Sequence, residues 1–301
     1  MTLQGESAAT RPGIELGGRA GARRRGGPTL GRRLRRDPGA VIMFLVLVVV
    51  CIVMLYPFAF MIINSLRTET QYLNGSGFST SSWSGLFSAL PVGSELLNST
   101  LICAGSIAII LIGSSAAGFA FAKLHYRRQN VVFLGIIGSM MIPVQSIIIP
   151  EYVNLSNVGL VNNYLAPILV YSALGMPFAT FLMTVFFRGL PDELIEAALC
   201  DGFGYVGVFW RIAVRMAAPA LATVTVLQFI QIWDDLLVAL LLLQEPANRT
   251  ITVGLGVLSS GRAVSIPALM AGSLISALPA IIVYLIFQRY LISGLTMGVS
   301  R

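Results

Sequence analysis

The sequence predicts an all-helical membrane protein with six transmembrane helices, and three observations carry that prediction. The chain has 301 residues, of which 56% are hydrophobic and only 11% charged, with a mean hydropathy of +0.82. A soluble domain is about a quarter charged. Six stretches reach the roughly 20 mainly apolar residues that a spanning helix needs, and the basic residues fall largely on one side of them. This composition excludes a soluble enzyme.

The stretches are residues 41–64, 97–122, 131–149, 164–187, 219–243 and 266–287. The first is too long for a signal-peptide core and lacks a small-residue cleavage site, so it reads as an uncleaved anchor. Six spans leave both termini on one side. Of the 20 Lys and Arg residues, nine precede residue 41. With the N-terminus inside, these nine are joined by Lys123, Arg127, Arg128, Arg188, Arg211, Arg215, Arg289 and Arg301, making 17 inside. Only Arg67, Arg249 and Arg262 remain outside, and this asymmetry predicts that both termini are cytoplasmic. Residues 1–40 are rich in Arg and Gly and poor in apolar residues, so a disordered basic tail is expected there. Two readings of the tail stand: a topology signal, or attraction of Arg32, Arg33, Arg35 and Arg36 to anionic membrane lipids.

Other chemistry is sparse. The net charge of +7 has to be read against a bilayer, so no nucleic-acid partner is implied. Lys123 is the single lysine and no Gly-Lys pair exists, which excludes a phosphate loop of the G-x-x-x-x-G-K type. The three cysteines, Cys51, Cys103 and Cys200, form no pairing pattern. His125 is the only histidine, so no metal site is expected. No catalytic residue is predicted. The small-residue run Gly113-Ser114-Ser115-Ala116-Ala117-Gly118 suits close helix packing, and Pro143, Pro177, Pro267 and Pro279 are placed to kink spans. The external loops, residues 65–96, 150–163 and 244–265, are too short for a ligand-capturing domain.

The longest cytoplasmic loop, residues 188–218, departs from a plain connector. Pro191 fits a first helical position, and Asp192, Glu193 and Glu196 complement the positive end of a helix dipole. Leu194, Ala197 and Ala198 put small or apolar groups along one side, and Gly202 with Gly204 suits left-handed termination. A second amphipathic piece follows with Phe209, Trp210 and Ile212. On spacing alone the helix is either a membrane-surface connector or a piece that enters another protein's groove.

Here the chain resembles a known family. Glu196-Ala197-Ala198, three residues, Gly202, nine residues and Ile212, with Pro219 beyond, resemble the EAA loop of permease subunits of bacterial ABC importers. Met141-Ile142-Pro143, Ile149-Pro150, Gly159-Leu160-Val161-Asn162-Asn163, Gly189-Leu190-Pro191 and Trp233-Asp234-Asp235 occur in the order found in the carbohydrate-uptake, maltose-type branch. So does the ending Arg289-Tyr290-Leu291 with Gly294-Leu295-Thr296-Met297-Gly298. The resemblance covers about residues 41–301. The chain departs from the family at Arg215, where a proline is usual, and at Phe203, where a small residue is usual; without that proline a less kinked helix is expected.

The resemblance implies a type I ABC importer permease fold. It also implies a sugar delivered by an extracellular or periplasmic binding protein, a path formed with a second permease, and two ATPase subunits. ATP and Mg would bind to those subunits and no cofactor to this chain. The loop would then link ATPase closure to the spans, with Glu196 and Gly202 as main coupling residues and Ala197, Ala198 and Asp201 supporting; residues 294–301 are a further contact candidate. The implied organisation is a tail over 1–40, a six-span permease domain over 41–290 and a C-terminal tail over 291–301, in a bacterial inner membrane.

The fifth span carries Gln228, Gln231, Trp233, Asp234 and Asp235. An acid at a helix centre costs about 2.5–3.5 kcal/mol on insertion scales, so such groups face partners or a watery cavity. Gln228, Gln231 and Asp235 are expected on one helical face, and Asp234 roughly 22 Å from the cytoplasmic end. Amides and carboxylates suit sugar hydroxyls, and Trp233 suits stacking on a pyranose. Polar contacts holding helices together explain the same residues. The rival function, an ion-coupled secondary carrier using these acids, would require a chain active alone, yet six spans without a visible repeat are poor material for it.

Overall fold

The computed structural model describes residues 38–261 and 265–296, with side chains for all of these except 38 and 291–296. The expectations for tail residues 1–37, for Arg262 and for residues 297–301 lie outside the described residues. The chain divides into two units, Met1–Pro57 and Phe58–Arg301. In the first, the described residues belong to helix α1 (Pro38–Ser65), which is exposed and apolar through residues 41–57. It begins at Pro38, ahead of the boundary expected at residue 41.

Among the described residues there is no strand. Four helices are long and apolar enough to cross a membrane, α1, α4 (Val92–Lys123), α7 (Leu165–Arg188) and α14 (Ile266–Thr296). Two bent pairs bring the number to six if each is one span. Short helices α2 (Glu69–Asn74) and α3 (Ser81–Ala89) lie between the first two. The α2 start is a reciprocal capping box in which Thr68 accepts from Gln71 N and Gln71 accepts from Thr68 N. Helix α14 continues to Thr296, beyond the C-terminal tail boundary expected at residue 290.

The third stretch is not a straight helix. Helix α5 (Gln129–Gly138) tightens into a 3-10 turn at Ser139–Met141, and α6 (Val144–Asn157) leaves at 96°. Pro143 lacks an N–H and pushes Ile142 out of helical geometry, to φ −81° and ψ 114°. The fifth stretch breaks as well: α11 (Ala218–Trp233) stops before Asp234, and α12 (Leu237–Leu242) starts afresh. Asp235 accepts the N–H of Val238 at 2.9 Å, so its side chain begins the new helix where backbone bonding would have continued the old one. This corrects the expectation of one continuous helical face through Asp235.

Helix α4 packs along α7, and α11 along α14. The α4–α7 contact follows from glycine. A Cβ at Gly105 or Gly113 would strike Ile168 or Met176, and one at Gly118 would come within 2.9 Å of the Thr184 backbone nitrogen. The small residues let the two backbones approach. Asn162, at φ 63°, holds the 244–248 loop: its N–H donates to Leu242 O, its side-chain oxygen accepts from Gln244 N and Glu245 N, and its carbonyl accepts from Asn248. Helix α13 (Ile251–Ser260) follows, capped by Thr250.

Candidate functional site

Two regions hold the residues singled out by the sequence, and they lie in different parts of the second unit. The first is loop 188–218. Helix α8 (Asp192–Cys200) begins after Pro191, which stands as its cap with φ −57° and ψ 133°, one position ahead of the first helical residue. It ends in a double hydrogen-bonded turn: Gly202 N donates to Leu199 O at 3.0 Å and Phe203 N to Ala198 O at 3.1 Å. Gly202 sits at φ +86°, the left-handed conformation that this ending requires. Gly204 is extended, at φ −78° and ψ 165°, so it does not share that role.

Four of the five coupling candidates, Glu196, Ala197, Asp201 and Gly202, are exposed. Ala198 is buried together with Ile195, so it belongs to the face that packs inward. The expectation that Leu194, Ala197 and Ala198 share one side is corrected: Leu194 and Ala197 face out and Ala198 faces in. The helical period separates residues one position apart by about 100°. Phe203, one of the departures from the family, is the residue that closes the turn. It packs on the core and carries the Arg211 guanidinium 5.2 Å above its ring.

The returning limb is α9 (Tyr205–Val208), a π-helical turn at Phe209–Ala213 and α10 (Val214–Met216). The other departure, Arg215, is exposed, and the limb still bends by 72° into α11. The bend falls at Ala217, φ −78° and ψ 3°, just ahead of Pro219. The chain therefore bends here without a proline at position 215.

The second region is a cavity of about 650 Å³ bounded by the α5–α6 break, by α7, by α11 and by the α11–α12 break. Irregular backbone at membrane depth is tolerated where it lines such a space. Gln228, Gln231 and Asp235 all line it, although only the first two are helical. Gln228 is 1% exposed, and its Nε2 has no hydrogen-bond partner among the described residues. Its carbonyl oxygen lies against Gly175 of α7, where a Cβ would run into it and into Ile110. No cationic side chain occurs among the described lining residues, and Asp235 is the one acidic side chain there.

Trp233 and Asp234 do not line the cavity. Trp233 is 3% exposed, stacks on Phe229 at 5.1 Å and donates to Ser276 O, so its ring is committed to α11–α14 packing and presents no face for a sugar. Asp234 is exposed on the other side of the break.

Sequence reasoning missed Tyr171 and Gly175, which line the cavity one helical turn apart on α7. The signal available was a tyrosine and a glycine four residues apart within an apolar span. It also passed over Lys123 as a partner of the loop: its ammonium donates to Leu190 O and to Asp192 Oδ1, both at 2.6 Å. That hydrogen bond, and then the Lys123 charge, hold the Asp192 carboxyl below its usual range. Among the described residues no group of three His, Cys, Asp or Glu side chains could hold a metal ion.

Comparison with known proteins identifies the family. The model of binding-protein-dependent transport system inner membrane components matches residues 109–296. An ABC transporter permease protein, ORF2, of Caldicellulosiruptor sp. (strain Rt8B.4) is 33% identical over 81% of this chain and 91% of its own. The melibiose/raffinose/stachyose import permease protein MelC of Bacillus subtilis (strain 168) is 28% identical over 90% of this chain and 99% of its own. A chain in the crystal structure of a bacterial ABC transporter that imports the acidic polysaccharide alginate superposes with a TM-score of 0.72 at 21% identity, covering 87% of this chain and 99% of that one. That superposition supports the importer permease fold, and membership of the family sets aside the secondary-carrier reading. The chain is a multi-pass membrane protein and belongs to the binding-protein-dependent transport system inner membrane components, the permease subunits of ABC transporters, which are not enzymes.

Proposed function

We propose that this permease is the transmembrane subunit of an ATP-driven sugar importer. It forms a path with a second, homologous permease, receives its sugar from an extracellular binding protein, and is driven by two separate ATPase subunits through loop 188–218. ATP and Mg bind to the ATPase, and this chain holds no cofactor. Relatives named for oligosaccharide import support the substrate class. The excess of basic residues on one side, 17 against 3, supports cytoplasmic termini in an inner membrane. Residues 1–40 then form a cytoplasmic tail, 41–290 the permease domain and 291–301 the cytoplasmic C-terminal tail, with residues 294–301 as a further contact candidate for the ATPase.

The observation that carries the coupling reading is the two-sided loop helix. Ile195 and Ala198 anchor α8 inward while Glu196, Ala197, Asp201 and Gly202 stand outward, free to enter a cleft in a partner. In the path, Gln228, Gln231 and Asp235 supply amide and carboxylate groups for hydroxyls. Trp233 and Asp234 support the break beside the path rather than the sugar itself.

Glu196→Ala or Gly202→Asp should abolish uptake or association with the ATPase while leaving the chain in the membrane at its usual amount. Unchanged uptake in both variants would remove the loop from the mechanism. Ligand binding by the partner binding protein identifies the sugar.

A further inference from the structure

We infer that Lys123 is a positioning residue that fastens the start of loop helix α8 to the inner end of α4, so that movement of the loop is carried into α4 and the cavity wall. This inference rests on the coupling role proposed for the loop. By covalent connection the loop could move only α7 and α11, which flank it. The tie through Lys123 adds a third helix.

The side chain is placed for that work. Lys123 is the last residue of α4, and its side chain is 3% exposed, whereas that of Asp192 is 77% exposed. An ammonium in such a place is costly unless paired, and here two of its three donors are taken up by groups 67 and 69 residues away in sequence. It is the single lysine of the chain, and this is the one salt bridge among the described residues. A compact ammonium on a flexible stem fits one carbonyl and one carboxylate oxygen, whereas a planar guanidinium favours a two-oxygen fork.

One turn earlier on α4, buried Phe119 meets Phe187 edge-on at 5.7 Å and Phe209 at 5.4 Å. Phe187 precedes α8 and Phe209 lies in the returning limb. Helix α4 therefore grips both limbs of the loop, one by charge and one by an aromatic wedge. The glycine contacts at Gly105, Gly113 and Gly118 then hold α4 against α7. Farther along α7, Gly175 touches Gln228 at the cavity. The chain of contact from Lys123 to the cavity wall runs through glycine backbone packed against the side chains of Ile168, Met176 and Gln228, and at Gly118 against the α7 backbone itself.

The test uses the complete importer, with this chain carrying Gln231→Cys as a cavity reporter and alanine at Cys51, Cys103 and Cys200. The labelling rate of Cys at position 231 by a water-soluble maleimide is measured without nucleotide and after trapping with MgATP and vanadate. With Lys123 present, trapping should change the rate about fivefold or more. Lys123→Met should keep the ATPase bound and lose that change, and Lys123→Arg should restore at least half of it. Asp192→Ala alters only an exposed side chain and should lose about half of the change, which keeps the test decisive if Lys123→Met fails to accumulate. A full change in Asp192→Ala, or in Lys123→Met, would overturn the inference, as would loss of the ATPase from Lys123→Met. If Glu196→Ala retains both the ATPase and the change, the loop reading itself fails, on a separate arm from the Lys123 result.

Discussion

The Tyr171 hydroxyl donates to Asp235 Oδ1 at 2.8 Å, and the same oxygen accepts the Val238 N–H at 2.9 Å. One carboxylate oxygen thus joins α7 to the α11–α12 break and caps α12. Tyr171→Phe removes one bond and should cost about 1 kcal/mol, and Asp235→Ala removes both and should cost about 2 kcal/mol. Asp235→Asn keeps a carbonyl acceptor and should lie close to the parent. Thermal unfolding in detergent orders the three variants.

Gly175 and Gln228 should behave as a coupled pair. Gly175→Ala puts a methyl group into the space held by the Gln228 amide and Ile110, and overpacking of this kind costs about 1–3 kcal/mol. Adding Gln228→Ala to Gly175→Ala should recover part of that loss. A double-mutant cycle on unfolding reads the coupling; additive effects would show that the two groups do not constrain each other.

Gly202 and Gly204 should respond differently to alanine although both are exposed and neither has an atom within 4 Å of a would-be Cβ. Gly202 is at φ +86°, where an L side chain costs about 1–2 kcal/mol, so Gly202→Ala should loosen the end of α8. Gly204 is at φ −78° and Gly204→Ala should be nearly neutral. Hydrogen exchange at the amides of Gly202 and Phe203 distinguishes the two.

Acid should release α8 from α4. The Asp192 carboxyl is held below its ordinary range by the Lys123 hydrogen bond and charge. A depressed carboxyl pKa contributes stability that is present above the unfolded value, about 3.9, and is lost as pH falls through the folded value. The Lys123–Asp192 tie should therefore be constant from neutral pH down to about 5 and weaken only in stronger acid. Hydrogen exchange of α8 against pH measures this, and Asp192→Asn should remove most of the pH dependence.

Local chemistry made part of the loop legible. Asp192, Glu193, Gly202 and the Glu196-Ala197-Ala198 run were enough to outline a helix and its glycine turn, because capping and termination depend on residues within one turn. The inward placement of Ala198 was not legible from that run, since it depends on which side of α8 meets the core. Among the path candidates, Gln228 and Gln231 are legible as polar groups in an apolar span, whereas the burial of Trp233 against Phe229 and Ser276 needed the neighbouring helix. Pro143 announced a kink, but the 96° turn that helps to open the cavity is a property of two helices and their neighbours.

Membrane residence, an all-helical fold and the family were determined by the sequence itself. Long apolar runs permit only a few structures in lipid, where every backbone group must be paired internally, and short motifs in a fixed order mark the family. The cavity, the Tyr171–Asp235 bond and the grip of Lys123 on the loop were decided only by tertiary structure. Each joins residues more than sixty positions apart, so no local period or motif could bring them together before the helices packed.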